Sequence, residues 1–186
     1  MSQSGLDIQQ NRRARKWSKR DLVLRALWDV FSIPFFAWSP RPLWGWRRTF
    51  LRFFGAKIGR DVHIYPTTKI TIPWNLSIGD QSAVGDGAVL YALGAISIGQ
   101  RVTISQHAHL CAGSHDYTDP AMPLLKLPIT VGDDAWICAE AFIGPDVVIG
   151  ARSIVAARAV AVKNVPDEMV VGGNPARPIK QRPPFA

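Results

Sequence analysis

A six-residue period runs through the chain from Ile58 to Lys163. An aliphatic residue opens each hexad, Gly often follows it, and Val or a small residue takes the fifth place. Ile58-Gly-Arg-Asp-Val-His63, Ile104-Ser-Gln-His-Ala-His109 and Ile143-Gly-Pro-Asp-Val-Val148 show the pattern. A short fixed period is the signature of a solenoid. The repeat also has a higher order. Ile58-Gly59, Ile78-Gly79, Ile98-Gly99, Val131-Gly132 and Ile149-Gly150 open five blocks at steps of 20, 20, 33 and 18 residues. Three hexads make 18, so each block reads as one triangular coil of three short strands. The first two blocks carry two extra residues each, Leu76-Ser77 and Ile96-Ser97, and the third carries an excursion after His115. A coil of this kind buries its aliphatic residues only when a neighbour stacks on it. The expected fold is all-β: a single-stranded parallel β-helix of about five coils, with a helical N-terminal arm and a C-terminal tail.

The rest of the chain falls into place around that stretch. Residues 1–56 form an arm, 57–165 the coil, and 166–186 a turn-rich segment and tail. Two cysteines in unlike contexts, Cys111 and Cys138, argue against a disulfide scaffold, and no Cys-rich metal motif is present. The net charge is +8, and all of the excess lies in the arm, which holds eleven Lys/Arg against three Asp. Five of seven Trp and six of eight Phe lie there too.

Within the arm, residues 1–11 are polar and read as disordered. Arg12 to Arg20 is a dense basic run. Leu22 to Trp38 is apolar at helical spacing but interrupted by Arg25, Asp29 and Pro34, with Ser18 or Asp21 available as a cap. It is too short and too interrupted to span a bilayer. It lacks a small-residue cleavage site, which argues against a secretory signal. Two compatible readings remain. Residues 12–54 meet an anionic membrane surface, or the helix caps the open first coil. Charge without a binding module gives no reason to expect nucleic acid.

Four stretches carry a resemblance: the hexads; Gly113-Ser-His-Asp-Tyr-Thr-Asp-Pro120; Val131-Gly-Asp-Asp-Ala-Trp-Ile137; and Val162-Lys-Asn-Val-Pro166 with Gly173-Asn-Pro-Ala-Arg177. Together they resemble the hexapeptide-repeat acyltransferases, whose fold is a left-handed parallel β-helix. Trp44-Gly-Trp-Arg-Arg48 and Phe54-Gly-Ala-Lys-Ile-Gly59 look like the colanic-acid and exopolysaccharide O-acetyltransferase subgroup, related to the galactoside and maltose acetyltransferases. The resemblance alone implies the left hand, since parallel crossovers are normally right-handed. It also implies a homotrimer with acetyl-CoA between subunits and a sugar acceptor; the basic, aromatic arm adds the expectation of a lipid-linked oligosaccharide acceptor and of a cytoplasmic protein peripheral to the inner face of the plasma membrane.

O-acetyl transfer needs a base for a weakly nucleophilic hydroxyl, and His is matched to that task near neutral pH. By resemblance His115 is that base. Asp116 could orient its ring, as could a backbone carbonyl. The resemblance further implies coenzyme contacts from Trp136, Ala139, Ala157, Val162, Lys163, Arg177 and Lys180. Tyr91 and Leu93 fall on the acceptor wall. There the galactoside enzymes carry Tyr-Ala-Asn and this chain carries Tyr91-Ala92-Leu93, so the acceptor differs from a simple galactoside. No metal is expected. His63 reads as a surface side chain, and His107 and His109 flank Ala108 and should point outward. Two alternatives stand beside the transferase: a zinc hydratase of the carbonic-anhydrase type using His107, His109 and His115, and a non-catalytic membrane-associated scaffold.

Overall fold

The computed structural model describes residues 5–184; the polar start before Gly5 and the last two residues of the tail lie outside the described residues. Three parallel faces wind through five complete coils, and Val165 with Met169–Gly172 begins a sixth. The hydrogen-bond register follows the sequence phase. Ile58 pairs with Ile78, Ile78 with Ile98, Ile98 with Val131 and Val131 with Ile149. Leu76-Ser77 and Ile96-Ser97 lengthen their strands on this face, where Leu76 pairs with Ile96 and Ile96 with Ile129.

The hexad works because two of its six places face inward. Ile58, Val62, Ile64, Thr68 and Ile70 of the first coil are all buried, alternating strand and corner residues. The second coil repeats the pattern with Ile78, Ser82, Val84, Ala88 and Leu90. A polar fifth place is tolerated because Ser82 is satisfied: its hydroxyl donates to the Gly99 carbonyl at 2.8 Å and accepts the Val102 N–H at 2.9 Å. The Gly after the aliphatic residue permits close stacking. A Cβ on Gly79 would sit 2.6 Å from the Gly99 carbonyl carbon. At one corner Asp61, Gln81, Arg101, Asp134, Arg152 and Glu168 all take the left-handed conformation, with φ from 51° to 60°. Such residues each cost about 1–3 kcal/mol of local strain, so the packed coils must hold them there.

The arm closes the first coil. The strands of that coil have no preceding neighbour, so their carbonyls on that edge need other donors. Four side chains supply them. Arg52 donates to the Ile58 carbonyl through Nε at 2.9 Å and Nη2 at 2.7 Å. Arg48 reaches the Val62 carbonyl at 3.1 Å, Arg47 the Ile64 carbonyl at 2.6 Å, and Trp28 Nε1 the Ile70 carbonyl at 2.7 Å. Trp28, Phe36 and Leu51 extend the aliphatic core beyond the coil. The capping reading of the arm therefore holds for its inner face.

Helix α1 spans Ile8–Arg13, α2 spans Lys19–Ser32 and α3 spans Trp44–Phe53. The first differs from the expected disorder: Asp7 caps it, and it docks on the excursion of the third coil. Ser18 and Asp21 act together on α2 as a reciprocal capping box. The helix expected to reach Trp38 instead widens at Ile33–Ala37, where Trp38 N–H bonds the Ile33 carbonyl. Pro34 has no N–H to continue the regular ladder. Gly55, at φ +86°, ends the piece begun by α3.

Candidate active site

The excursion is a small hairpin. Ser114–His115 pairs antiparallel with Leu124–Leu125, so that His115 faces Leu124. It leaves the corner after the third coil's last strand, on the edge that carries Tyr91, Ala92 and Leu93 in the second coil. His115 is exposed, and its Nδ1 lies 2.7 Å from the Met122 carbonyl oxygen. A carbonyl only accepts, so Nδ1 carries the proton and Nε2 is the basic nitrogen. Met122 itself has φ +44°, a left-handed turn that aims its carbonyl back at the ring.

Asp116 is engaged elsewhere. Its Oδ1 accepts the Thr118 N–H at 2.9 Å and the Thr118 hydroxyl at 2.6 Å. These bonds hold its carboxyl below the usual carboxylate range. Of the two ring-orienting groups open in the sequence, the carbonyl is the one in contact with His115. Leu93 is 5% exposed and packs into the wall beneath the hairpin, where a Cβ on Gly113 would meet it at 2.9 Å and Tyr91 at 3.2 Å. Tyr91 stays exposed. Asn75 fixes this wall by donating to the Ala92 and Leu93 carbonyls, each at 3.0 Å.

The residues expected at the coenzyme lie on two edges. Val162 and Lys163 are exposed on the same edge as the hairpin, two coils further on. Trp136 lies on the face opposite that edge, 44% exposed, with Nε1 donating to Ser105 Oγ at 2.9 Å. Ala139 and Ala157 follow it on the far corner, and Arg177 and Lys180 belong to the exposed strand Arg177–Gln181, which folds back along the same face. Within one chain a full face of the prism separates the two groups.

The other histidines fall as follows. His63 stacks on Trp44 with ring centroids 4.7 Å apart. His107 is an exposed corner residue at φ +57°. His109 points outward but is wedged between Tyr91 and Phe142, and this burial lowers its basicity. Burial raises the Cys138 thiol above its ordinary value, which makes it a poor nucleophile. Among the described residues no three His, Cys, Asp or Glu side chains gather as a metal site. Two groups that meet at this ring were not legible in advance: the Met122 carbonyl, because a backbone group leaves no residue signature, and Asn11, whose Nδ2 also donates to that carbonyl, because it sits in a stretch that reads as disordered.

No family model matches the chain. It is 44% identical over 156 residues to WcaF of Escherichia coli K12, a protein named for an acetyltransferase role in colanic acid biosynthesis, with 84% of this chain and 86% of that one covered. The chain belongs to the hexapeptide-repeat acetyltransferase family. This family's β-helix is left-handed, which supplies the hand that the repeat alone leaves open. A hexapeptide-repeat acetyltransferase of Vibrio cholerae, solved with acetyl coenzyme A, superposes with a TM-score of 0.82 at 27% identity, covering 91% of this chain and 93% of that one. A galactoside acetyltransferase solved with coenzyme A matches in fold, with a TM-score of 0.81 at 21% identity, over 90% of this chain and 84% of that one. These likenesses do not favour the hydratase alternative for this hexapeptide-repeat acetyltransferase.

Proposed function

We propose that the protein transfers an acetyl group from acetyl-CoA to a sugar hydroxyl during exopolysaccharide assembly, with His115 as general base. One observation carries this reading: the exposed His115 ring is held through Nδ1 by the Met122 carbonyl, leaving Nε2 as the proton acceptor. Bound acetyl-CoA supplies an acetyl group activated as a thioester. Nε2 accepts the hydroxyl proton as the sugar oxygen bonds to the acetyl carbon, and the imidazolium returns that proton to the departing sulfur. The chain's residues suit an elongated, phosphate-bearing donor. Ala139 and Ala157 keep a corner low, and the exposed Lys163, Arg177 and Lys180 offer cations to phosphate.

A homotrimer is part of the proposal. His115, Val162 and Lys163 lie on one edge while Trp136, Ala139 and Ala157 lie one face away, and a second copy set edge to edge would bring the two groups together. Light scattering reads the assembly directly.

The outer face of the arm supports a peripheral membrane position. Trp38 is 77% exposed and Phe53 83% exposed, and Val23, Val30 and Ile33 are exposed as well. An apolar cavity of about 530 Å³ opens there between Leu24, Leu27, Phe31, Phe53 and Trp74. Exposed apolar surface of this kind marks an interaction face, and Arg20 of the basic run lines the same cavity. Among the described residues no helix is long and apolar enough to cross a membrane. Removing the arm outright would also remove Trp28 and Phe36 from the core, so surface substitutions are the sound test. Trp38→Ser with Phe53→Ser should abolish co-sedimentation with anionic vesicles, and unchanged binding would end the membrane reading.

The activity is tested by thiol release from acetyl-CoA across free and lipid-linked sugars. His115→Ala should lose roughly a hundred- to ten-thousand-fold in rate. Undiminished release would remove His115 from the mechanism.

A further inference from the structure

Residues 7–17 grip the hairpin that carries His115. The Asp7 N–H donates to the Pro120 carbonyl at 2.7 Å. Lys126 donates to the Lys16 carbonyl at 2.8 Å and sits 3.5 Å from the centre of the Trp17 ring. Between these two holds lies Asn11. Its Nδ2 donates to the Ala121 carbonyl at 2.6 Å and also to the Met122 carbonyl. The Met122 oxygen is the same atom that receives Nδ1 of His115.

We propose that Asn11 is a positioning residue for the base: its amide fixes the Met122 carbonyl that selects the His115 tautomer. The proposal rests on His115 acting as the base. A carbonyl oxygen has two lone pairs and can receive both donors at once. Met122 occupies a left-handed conformation that few residues of its kind adopt unaided, so its peptide needs an external hold. Lys16 donates to Asn11 Oδ1, which turns the donor end of the amide toward the two carbonyls. Without Asn11 the Met122 peptide is freer to turn, and the imidazole loses the acceptor that keeps its proton on Nδ1. The proton then moves to Nε2 in a share of molecules, and Nε2 in those molecules is no longer a base.

The test compares the full-length wild type with Asn11→Ala, Asn11→Asp and Lys126→Met, the last of which breaks a different hold on the same hairpin. Two readouts are taken: thiol release from acetyl-CoA, with water and with the best acceptor of the panel, and ¹⁵N NMR of histidine-labelled protein, in which only four His contribute. Asn11→Ala should lower kcat roughly ten- to a hundredfold, as expected for a misplaced catalytic group, with KM for acetyl-CoA unchanged. Its His115 spectrum should shift from the Nδ1–H form toward a mixture. Asn11→Asp, which keeps the Lys16 partner but has no donor, should behave the same way. Lys126→Met should keep the wild-type tautomer. A wild-type kcat and an unchanged tautomer in Asn11→Ala, beside an inactive His115→Ala, would overturn the positioning role alone. Full activity in His115→Ala would overturn the base reading and this role with it.

Discussion

Arg47 is the sharpest test of how the arm and the coil are joined. It is 0% exposed. Its guanidinium donates to the Ile64 carbonyl at 2.6 Å, to Ser39 Oγ at 2.8 Å and to the Pro40 carbonyl at 2.9 Å, and it also reaches the Arg41 carbonyl. Desolvation alone accounts for its lowered pKa. Arg47→Met keeps the stem and removes every donor. The Ile64 carbonyl is then buried without a partner, and an orphaned buried acceptor costs about 1–3 kcal/mol. The Pro40 and Arg41 carbonyls, only partly buried, lose less because water can reach them. Relief from burying a charge offsets part of this, leaving a net loss of roughly 2–4 kcal/mol. For a domain of this size that corresponds to a fall in Tm of about 5–15 °C. Circular dichroism melts of wild type, Arg47→Met and Arg47→Lys would measure it. Arg47→Lys should fall between the other two, because an ammonium cannot fan out to four acceptors. The exposed Arg60→Met is the control, expected within about 0.5 kcal/mol of wild type. If Arg47→Met melts with that control, the edge carbonyls of the first coil are not held by this side chain and the capping argument fails.

Glycines test the stacking argument. Gly79→Ala should destabilise by about 1–3 kcal/mol, as overpacking does, because its Cβ would press on the backbone of the next coil. Gly45→Ala on α3, where the added Cβ meets only the Arg48 side chain at 3.7 Å, should be neutral or stabilise by up to about 1 kcal/mol. His109 makes stability pH-dependent. Its folded pKa lies below the ordinary 6.5 through desolvation, so between the two values the unfolded chain binds the extra proton. Stability should therefore be complete above pH 6.5 and decline as pH falls from there toward the folded pKa. A His109→Phe variant in denaturant melts at pH 7 and pH 5.5 should lose that slope; an unchanged slope would assign it to another group.

The fold was legible because a periodic sequence repeats one local decision many times. The steps between the aliphatic–Gly pairs became the parallel register without adjustment, and the fifth place of each hexad became a corner of the core. The hand was not legible, because a hexad repeat constrains which residues face inward but not which way the coil turns. Of the proposed site, the sequence motif singled out His115, whereas the group its ring touches is a backbone carbonyl, that of the left-handed Met122, which also receives the Asn11 amide from more than a hundred residues away in sequence. Asp116, the neighbour in sequence, looked like the natural partner. In space it closes a turn with Thr118, which is the common fate of an Asp two places before a Thr N–H in a loop.

The charge of the arm is the clearest case of one composition carrying two meanings. Arg47, Arg48 and Arg52 look like part of a basic surface, yet each delivers its donors to carbonyls on the open edge of the first coil. A β-helix with an uncovered end is a sheet edge, and a cation-rich helix is a compact way to satisfy carbonyls there. Arg47, which is fully buried, must therefore be removed from any count of charge available to an anionic partner, while Arg48 and the exposed Arg52 keep their charge beside the carbonyls they serve. The densest part of what remains is the run from Arg12 to Arg20, whose Arg20 lines the same cavity as Phe53. The two populations predict opposite salt responses. Raising ionic strength should weaken vesicle binding through Arg12, Arg13 and Arg15, because exposed charges are screened within about 8–10 Å at moderate salt. It should leave the thermal midpoint set by Arg47 almost unmoved, since that guanidinium pairs with neutral carbonyls away from solvent. If vesicle binding and thermal midpoint both fell with salt in proportion, the division of the arm into a buried cap and an outer basic face would be wrong.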